Sequence, residues 1–148
     1  MHFIRRHITI LFLAATFSVT ALVLPSGAKA DEALYDRLGG AGAVAAVVDQ
    51  FTTRILDDAR ISGRYANTDV EEWRGHLRDF VCMATGGGCE YSGRAMKSAH
   101  ARMNISDDEF NWTAGHLVAT LNDFNVPAKE HEELIAAIAS LRDQVVGW

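Results

Sequence analysis

Hydrophobic residues recur every three or four positions along most of the chain, which predicts a series of amphipathic helices. The first long series runs from about Gly42 to Asp57. A second begins near Thr68, where Thr68 and Glu71 have the spacing of a capping box, and it ends at the glycines 86–88. No window alternates with the period of a strand, so the sequence predicts an all-α fold.

Further helices are predicted on both sides of these two. A very short one covers residues 34–38 and ends at two glycines, and another short one spans about Arg94 to Arg102. Ser106 and Glu109 form a second capping box, and Pro127 stands in the first turn of the last helix. Short helices flanked by glycines, placed beside long ones, favour a pocket between helical layers over a uniform bundle.

The first thirty residues have a different pattern. Two arginines precede a run of seventeen almost wholly apolar residues, Ile8 to Leu24, and Ala28-Lys29-Ala30 has the form of a cleavage site. We predict a signal peptide over residues 1–30 and one folded domain over residues 31–148, exported to a periplasm or secreted. An uncleaved membrane anchor is the alternative, because a bilayer is spanned by roughly 20 apolar residues.

The net charge bears on which partners are expected, and the cysteines bear on the compartment in which the protein is found. Loss of Arg5, Arg6 and Lys29 with the signal segment lowers the lysines and arginines from 14 to 11, against 19 acidic residues, a net charge of −8. Nucleic acid is therefore not an expected partner. Cys82 and Cys89 both lie in the exported part, where an oxidising compartment favours a disulfide over two free thiols.

His100 is the first candidate for chemistry, since an imidazole on a short helix beside an apolar pocket can hold a haem iron from one side. Met96 lies four residues earlier on the same face and could pack on the porphyrin. Tyr91, Arg94 and Lys97 flank that face and could pair with haem propionates. A hydrogen-bonded structural histidine is the other interpretation, and these residues alone leave both open.

His76 is the second candidate. It is predicted on the same face of its helix as Trp73 and Phe80, and it borders Leu77. Histidines on two helices joined by a tight loop could hold one iron from both sides, although a histidine on an apolar face is commonly structural. Covalent haem attachment uses Cys-x-x-Cys-His, and no histidine follows Cys89, so any haem is expected to be non-covalent.

Several motifs, taken in order, cover nearly all of residues 31–148. They are Leu34-Tyr35-Asp36-Arg37-Leu38-Gly39-Gly40, Phe51 with Arg54-Ile55-Leu56-Asp57-Asp58, Gly86-Gly87, Tyr91-x-Gly93-Arg94-x-Met96-Lys97-x-x-His100 and Gly115-His116-Leu117. In these motifs the chain resembles the group I truncated haemoglobins. The resemblance implies a two-over-two helical sandwich around a non-covalent haem b, with Phe51 in the haem pocket and His100 as the proximal iron ligand.

The chain departs from that family where a bound gas would lie. Thr52 stands where most group I members have a distal tyrosine, and Leu77 stands where a glutamine commonly faces bound oxygen. Tyr65 replaces the usual phenylalanine at the helix corner, and Trp73 takes the distal entrance position. Hydrogen bonds to a gas could then come only from Thr52, Tyr65, Trp73 or His76. The resemblance also makes His76 a candidate reversible sixth ligand.

The resemblance implies binding of O2, NO and CO at the haem. It extends to NO detoxification, in which NO becomes nitrate with electrons from a donor that the sequence does not identify. A bis-histidyl electron-transfer or gas-sensing haem protein is the alternative class. A helical interaction domain that keeps the fold without haem is the third.

Overall fold

The computed structural model describes residues 32–148, and these are helical with no strand among them. The elements are α1 (Leu34–Arg37), α2 (Gly40–Asp57), a 3-10 helix (Ser62–Tyr65), α3 (Val70–Ala84), α4 (Met96–His100), α5 (Asp107–Asp123), α6 (Ala128–Ala139) and α7 (Arg142–Val145). The predicted all-α class is confirmed. The predicted signal peptide lies outside the described residues.

The four long helices form the two-over-two sandwich that the resemblance implied. Helix α2 packs against both α3 and α5, and α5 packs against α6. A buried cluster of Leu117, Leu121 and Leu134 joins α5 to α6, and Val47 and Phe51 of α2 pack against it. Leu121 and Ile55 are fully buried, so this core holds the layers together through apolar contact.

The helix ends agree with the sequence in part. The capping box of α5 is present, because Glu109 N–H donates to the Ser106 hydroxyl and the Glu109 carboxylate accepts from Ser106 N–H at 2.9 Å. The cap of α3 is Asp69, not Thr68 as predicted: its carboxylate accepts two backbone N–H groups, each at 3.0 Å. The predicted last helix is interrupted after Ala139 and continues as α7.

The connection from α3 to α4 is held at its α3 end. Gly86 and Gly88 have φ of +84° and +73°, a region open to glycine at little cost. The structure brings Cys82 and Cys89 together as a pair with their Cα atoms 5.7 Å apart, which is within the range of disulfides. This pairing fixes the loop next to α3, the helix that forms one wall of the cavity described below.

The segment after α4 is tied to the C-terminal residues. Asn104 N–H donates to the Trp148 carbonyl at 2.6 Å, and Gly147 N–H donates to the Ile105 carbonyl at 3.0 Å. The Lys97 ammonium lies 3.3 Å from the centre of the Trp148 ring, a cation–π contact. Helix α4, which carries His100, is therefore held from its C-terminal side.

None of the helices within residues 32–148 is long and apolar enough to cross a bilayer.

Candidate functional site

A large cavity lies between the helical layers. Every element except α1 contributes to its walls, and so do some of the segments between the elements. The lining is hydrocarbon or thioether apart from a few polar side chains. Of the residues predicted for the site, seven line it: Phe51, Tyr65, Trp73, Leu77, Phe80, Met96 and His100. The cavity can therefore exclude water from a flat apolar ligand while offering very few polar groups.

His100 is the last residue of α4 and reaches the cavity from that helix. Its Nδ1 lies 2.8 Å from the Met96 carbonyl oxygen. A carbonyl only accepts hydrogen bonds, so Nδ1 carries the proton of the neutral ring and Nε2 keeps its lone pair. An imidazole whose second nitrogen is oriented by a backbone carbonyl is the usual form of a metal-binding histidine.

Within residues 32–148 no cluster of three or more histidine, cysteine or acidic side chains could hold a metal ion by itself. A single free imidazole nitrogen in an apolar cavity instead suits a metal that brings most of its own ligands. Haem b fits both properties, because its porphyrin supplies four nitrogens and needs apolar walls.

Thr52, predicted on the distal side, is fully buried but does not line the cavity. Its hydroxyl donates to the Val48 carbonyl at 2.9 Å, as threonines commonly do within helices. The same oxygen accepts from Arg74 Nε at 2.8 Å. Thr52 therefore stabilises the contact between α2 and α3.

His76, predicted on the apolar face of α3, also lies outside the cavity lining. Its side chain is 41% exposed, and its Nε2 is 3.8 Å from a Glu72 carboxylate oxygen. Its ring meets the Tyr91 ring edge-on with centroids 6.4 Å apart. In this arrangement His76 faces the solvent side of α3, and coordination of an iron in the cavity would require the side chain to move.

The three predicted propionate partners lie beside the cavity and not in its lining. The Tyr91 hydroxyl donates to the Arg94 carbonyl at 3.0 Å, and the Tyr91 ring packs edge-on against Phe80 at 5.4 Å. Lys97 is engaged with Trp148, and both Lys97 and Arg94 are exposed. Of the two basic side chains, Lys97 is thus held by an aromatic ring and Arg94 is not.

Tyr65 and Trp73 are two of the few polar side chains in the cavity lining. Their rings are stacked with centroids 4.4 Å apart and planes inclined by 27°. Burial raises the pKa of Tyr65 above its ordinary value, so the phenol stays protonated at neutral pH. We call Tyr65, Trp73 and Leu77, the cavity-lining residues that the family resemblance predicted on the distal side, the distal wall.

Sequence reasoning missed part of the lining. Val47, Phe110 and Leu117 are apolar residues of α2 and α5, a pattern that indicates a buried helix face but not that a cavity lies against it. Met103 and Ile105 follow α4 in an irregular segment, so no periodicity indicated them. Their signal is only their position, three and five residues after His100.

A two-layered helical sandwich around an apolar cavity with one free imidazole nitrogen defines a globin. The comparisons agree: the family model of bacterial-like globins matches residues 33–146. The chain is 38% identical over 112 residues to the Group 1 truncated hemoglobin GlbN of Synechocystis, covering 73% of this chain and 87% of that one. It is 36% identical over 118 residues to GlbN of Mycolicibacterium paratuberculosis, covering 79% and 87%.

Among solved structures, the chain is similar to the truncated hemoglobin of Tetrahymena pyriformis in its Fe(III) form. The TM-score is 0.76 and the identity 31%, covering 79% of this chain and all of that one. The chain therefore belongs to the bacterial-like globins, and within them to the group I truncated haemoglobins. Its cofactor is haem b, and it binds small diatomic gases at that cofactor.

Proposed function

We propose that His100 Nε2 is the proximal ligand of the haem iron and that the protein binds O2, NO and CO on the opposite side. The observation that carries this is the 2.8 Å contact between His100 Nδ1 and the Met96 carbonyl in the wall of the apolar cavity. The contact fixes the tautomer and the ring orientation, so the ligand nitrogen is prepared before haem binds.

Other residues around the cavity would contact the porphyrin ring and its propionates. Phe80, Leu77 and Met96 would supply apolar surface for the ring, and the exposed Arg94 would pair with a propionate. When bound, haem b supplies an iron with one open position for a gas. The walls keep water away from that position, which favours reversible binding.

A His100→Gly variant tests the ligand. We expect the purified variant to lose the absorption spectrum of the axially ligated haem and to regain it when free imidazole is added, because imidazole can fill the vacated position. The matched control is His131→Gly on α6, which should keep the native spectrum. If His100→Gly takes up haem with unaltered colour and axial ligation, the assignment is wrong.

The bis-histidyl alternative requires His76 at the iron. Its 41% exposed side chain and its contact with Glu72 favour the open-site gas binder over that alternative. We therefore expect the ferric and ferrous spectra of His76→Ala to equal those of the unmodified protein. Loss of a low-spin spectrum in His76→Ala would support the electron-transfer or sensing class instead.

We further propose that the protein can convert NO to nitrate, with one NO, one O2 and one electron giving one nitrate ion. The electron donor would be a separate reductase or small redox protein. Membership in a family of gas-binding haem proteins supports this proposal. Stopped-flow mixing of the O2-saturated ferrous protein with NO should give nitrate in the mixing time; slow or absent nitrate formation would contradict it.

We also propose that residues 1–30 direct export to a periplasm or the exterior, with membrane attachment only if that segment is retained. The paired Cys82 and Cys89 support an oxidising compartment. When the full chain is produced in a bacterium, mass spectrometry of the purified protein should find Asp31 at the N-terminus and two hydrogens missing from the cysteine pair. A full-length product with two free thiols would contradict both parts.

A further inference from the structure

The structure separates the four side chains that the sequence offered as hydrogen-bond donors to a gas. Thr52 is outside the cavity lining, and its hydroxyl is already bonded to a carbonyl of its own helix and to Arg74. His76 is also outside the lining and partly in solvent. Tyr65 and Trp73 remain, both in the cavity lining, since the Thr113 hydroxyl in that lining donates to the Glu109 carbonyl at 2.8 Å.

The two tyrosines next to the cavity differ in how their hydroxyls are used. The Tyr91 hydroxyl donates to the Arg94 carbonyl. The Tyr65 hydroxyl makes no hydrogen bond to another group of residues 32–148, and the residue is half-buried in the cavity lining. A hydroxyl that no protein group engages can donate to a ligand without first losing another hydrogen bond, which suits Tyr65 better than Tyr91.

Stacking on Trp73 fixes the Tyr65 ring in this place. The 4.4 Å separation and 27° inclination leave the ring little freedom, while the hydroxyl hydrogen can still rotate toward an acceptor. The indole N–H of Trp73 is the competing donor. It points in one fixed direction set by the ring, and it is a weaker acid than a phenol.

We propose that the Tyr65 hydroxyl is the hydrogen-bond donor to the gas held in this cavity, and that Trp73 is its positioning residue. The donor would thus come from the 3-10 helix before α3 and not from α2, where Thr52 stands. This inference rests on the proposed function, because the acceptor is a gas bound at the haem.

Tyr65→Phe tests the proposal, because it removes the hydroxyl and keeps the stacked ring. In the ferrous CO complex of the full holoprotein, we expect the C–O stretching frequency in the infrared to rise. We expect O2 to dissociate about ten- to a hundredfold faster, the range for a lost hydrogen bond to a charged or strongly polar acceptor.

Two further variants make the result specific. Tyr35→Phe removes a phenol hydroxyl outside the cavity lining and should leave both measurements unchanged. Trp73→Phe removes the indole N–H; if it raises the frequency while Tyr65→Phe does not, the indole is the donor and the proposal is wrong.

An unchanged frequency in both variants would also overturn the proposal, since the distal wall would then donate to nothing. These outcomes all presuppose a haem spectrum and CO binding. A protein without either would contradict the proposed function itself, which separates the two failures.

Discussion

Gly87 shows how much the structure depends on one missing methyl group. It lies in the loop after α3, and a Cβ atom placed there would come within 2.6 Å of both the Cys82 sulfur and Cγ of the Tyr35 ring. Neither atom is the free end of a flexible side chain: one is in the cysteine pair and the other is the base of an aromatic ring. Only glycine allows α1, α3 and this loop to meet so closely.

We predict that Gly87→Ala lowers the free energy of unfolding by about 1–3 kcal/mol, the usual cost of overpacking a tight site. Urea denaturation followed by circular dichroism measures it. Gly115→Ala is the matched control, because a Cβ on this exposed position of α5 meets nothing within 4 Å. There the alanine should stabilise by about 0.5–1 kcal/mol through its higher helix propensity. Equal effects at both positions would show that the contact with Cys82 and Tyr35 does not matter.

Thr52, which stands where most group I members have a distal tyrosine, also shows the effect of a single residue. Thr52 lies on the side of α2 that contacts Arg74 of α3, outside the cavity lining, and its hydroxyl donates to the Val48 carbonyl. Arg74, next to Trp73 in sequence, then fills the space by donating to Thr52 and pairing with Glu71. At this position the chain therefore has a contact between α2 and α3 in place of a hydrogen-bond donor to the gas. In our proposal that donor is Tyr65 instead.

At the scale of elements, the N-terminus of α5 combines a cap with an ion pair. The Glu109 carboxylate accepts from Arg64 Nε at 2.5 Å and from Ser106 N–H, and these contacts, led by that with Arg64, lower the Glu109 pKa to about 2. Arg64 Nη1 also donates to the Met103 carbonyl at 2.8 Å. The pair therefore links the 3-10 helix that carries Tyr65 to α5 and to the segment after His100.

The depressed pKa fixes the sign of a pH effect. A carboxyl whose pKa is lower in the folded state stabilises the fold above its unfolded pKa of about 4.3 and loses that contribution as the pH falls toward 2. We predict that Glu109→Gln is less stable than the unmodified protein by about 1 kcal/mol at pH 7, a value kept small because the pair touches solvent. Near pH 2 the difference should vanish.

Urea denaturation at pH 7, 4 and 2 measures this difference. Asp108→Asn removes the same charge from the same helical turn without touching Arg64, so its stability difference should depend less on pH. A Glu109→Gln difference that persists unchanged at pH 2 would show that the hydrogen-bonding shape of the side chain matters, not its charge.

The elements also show what the sequence could predict. Long periodic helices and the Ser106 capping box were found correctly, because they depend on local patterns. The spacing of Thr68 and Glu71 suggested a capping box, but aspartate is the better N-cap of the two residue types, and Asp69 caps α3. The 3-10 helix was missed because four residues are too few to show a period.

The site was predictable to the same degree. The motif and its spacing indicated His100, which lies in the cavity lining. They did not indicate that the His76 side chain lies outside that lining. At 100° per residue, His76 lies about 60° from Trp73 around α3, on the side away from Leu77 and Val81. That places it at the edge of the apolar face, where the packing of neighbouring helices, and not the sequence, decides between cavity and solvent.

At the scale of the whole molecule, the cavity and the loop beside it form one connected structure. Helix α3 supplies the wall with Trp73 and Phe80 and ends at the cysteine pair, and the chain then passes Tyr91, which packs against Phe80, before reaching α4. From α4 the contacts continue to the C-terminal residues through Lys97 and Trp148. The position of His100 relative to the distal wall thus depends on how firmly the α3–α4 loop is closed.

The cysteine pair gives the last prediction. Closing the loop from Cys82 to Cys89, a separation of seven residues, should stabilise the protein by about 2–3 kcal/mol by restricting the unfolded chain. We predict that the double variant Cys82→Ser/Cys89→Ser loses this amount in urea denaturation and releases haem faster, because α3 and α4 then hold the cofactor between less firmly connected ends. A reductant should lower the stability of the unmodified protein by the same amount and leave the stability of the double variant unchanged. If reductant shifts neither protein, the two sulfurs are not bonded in solution, and the loop is held by Gly87 and Tyr91 packing alone.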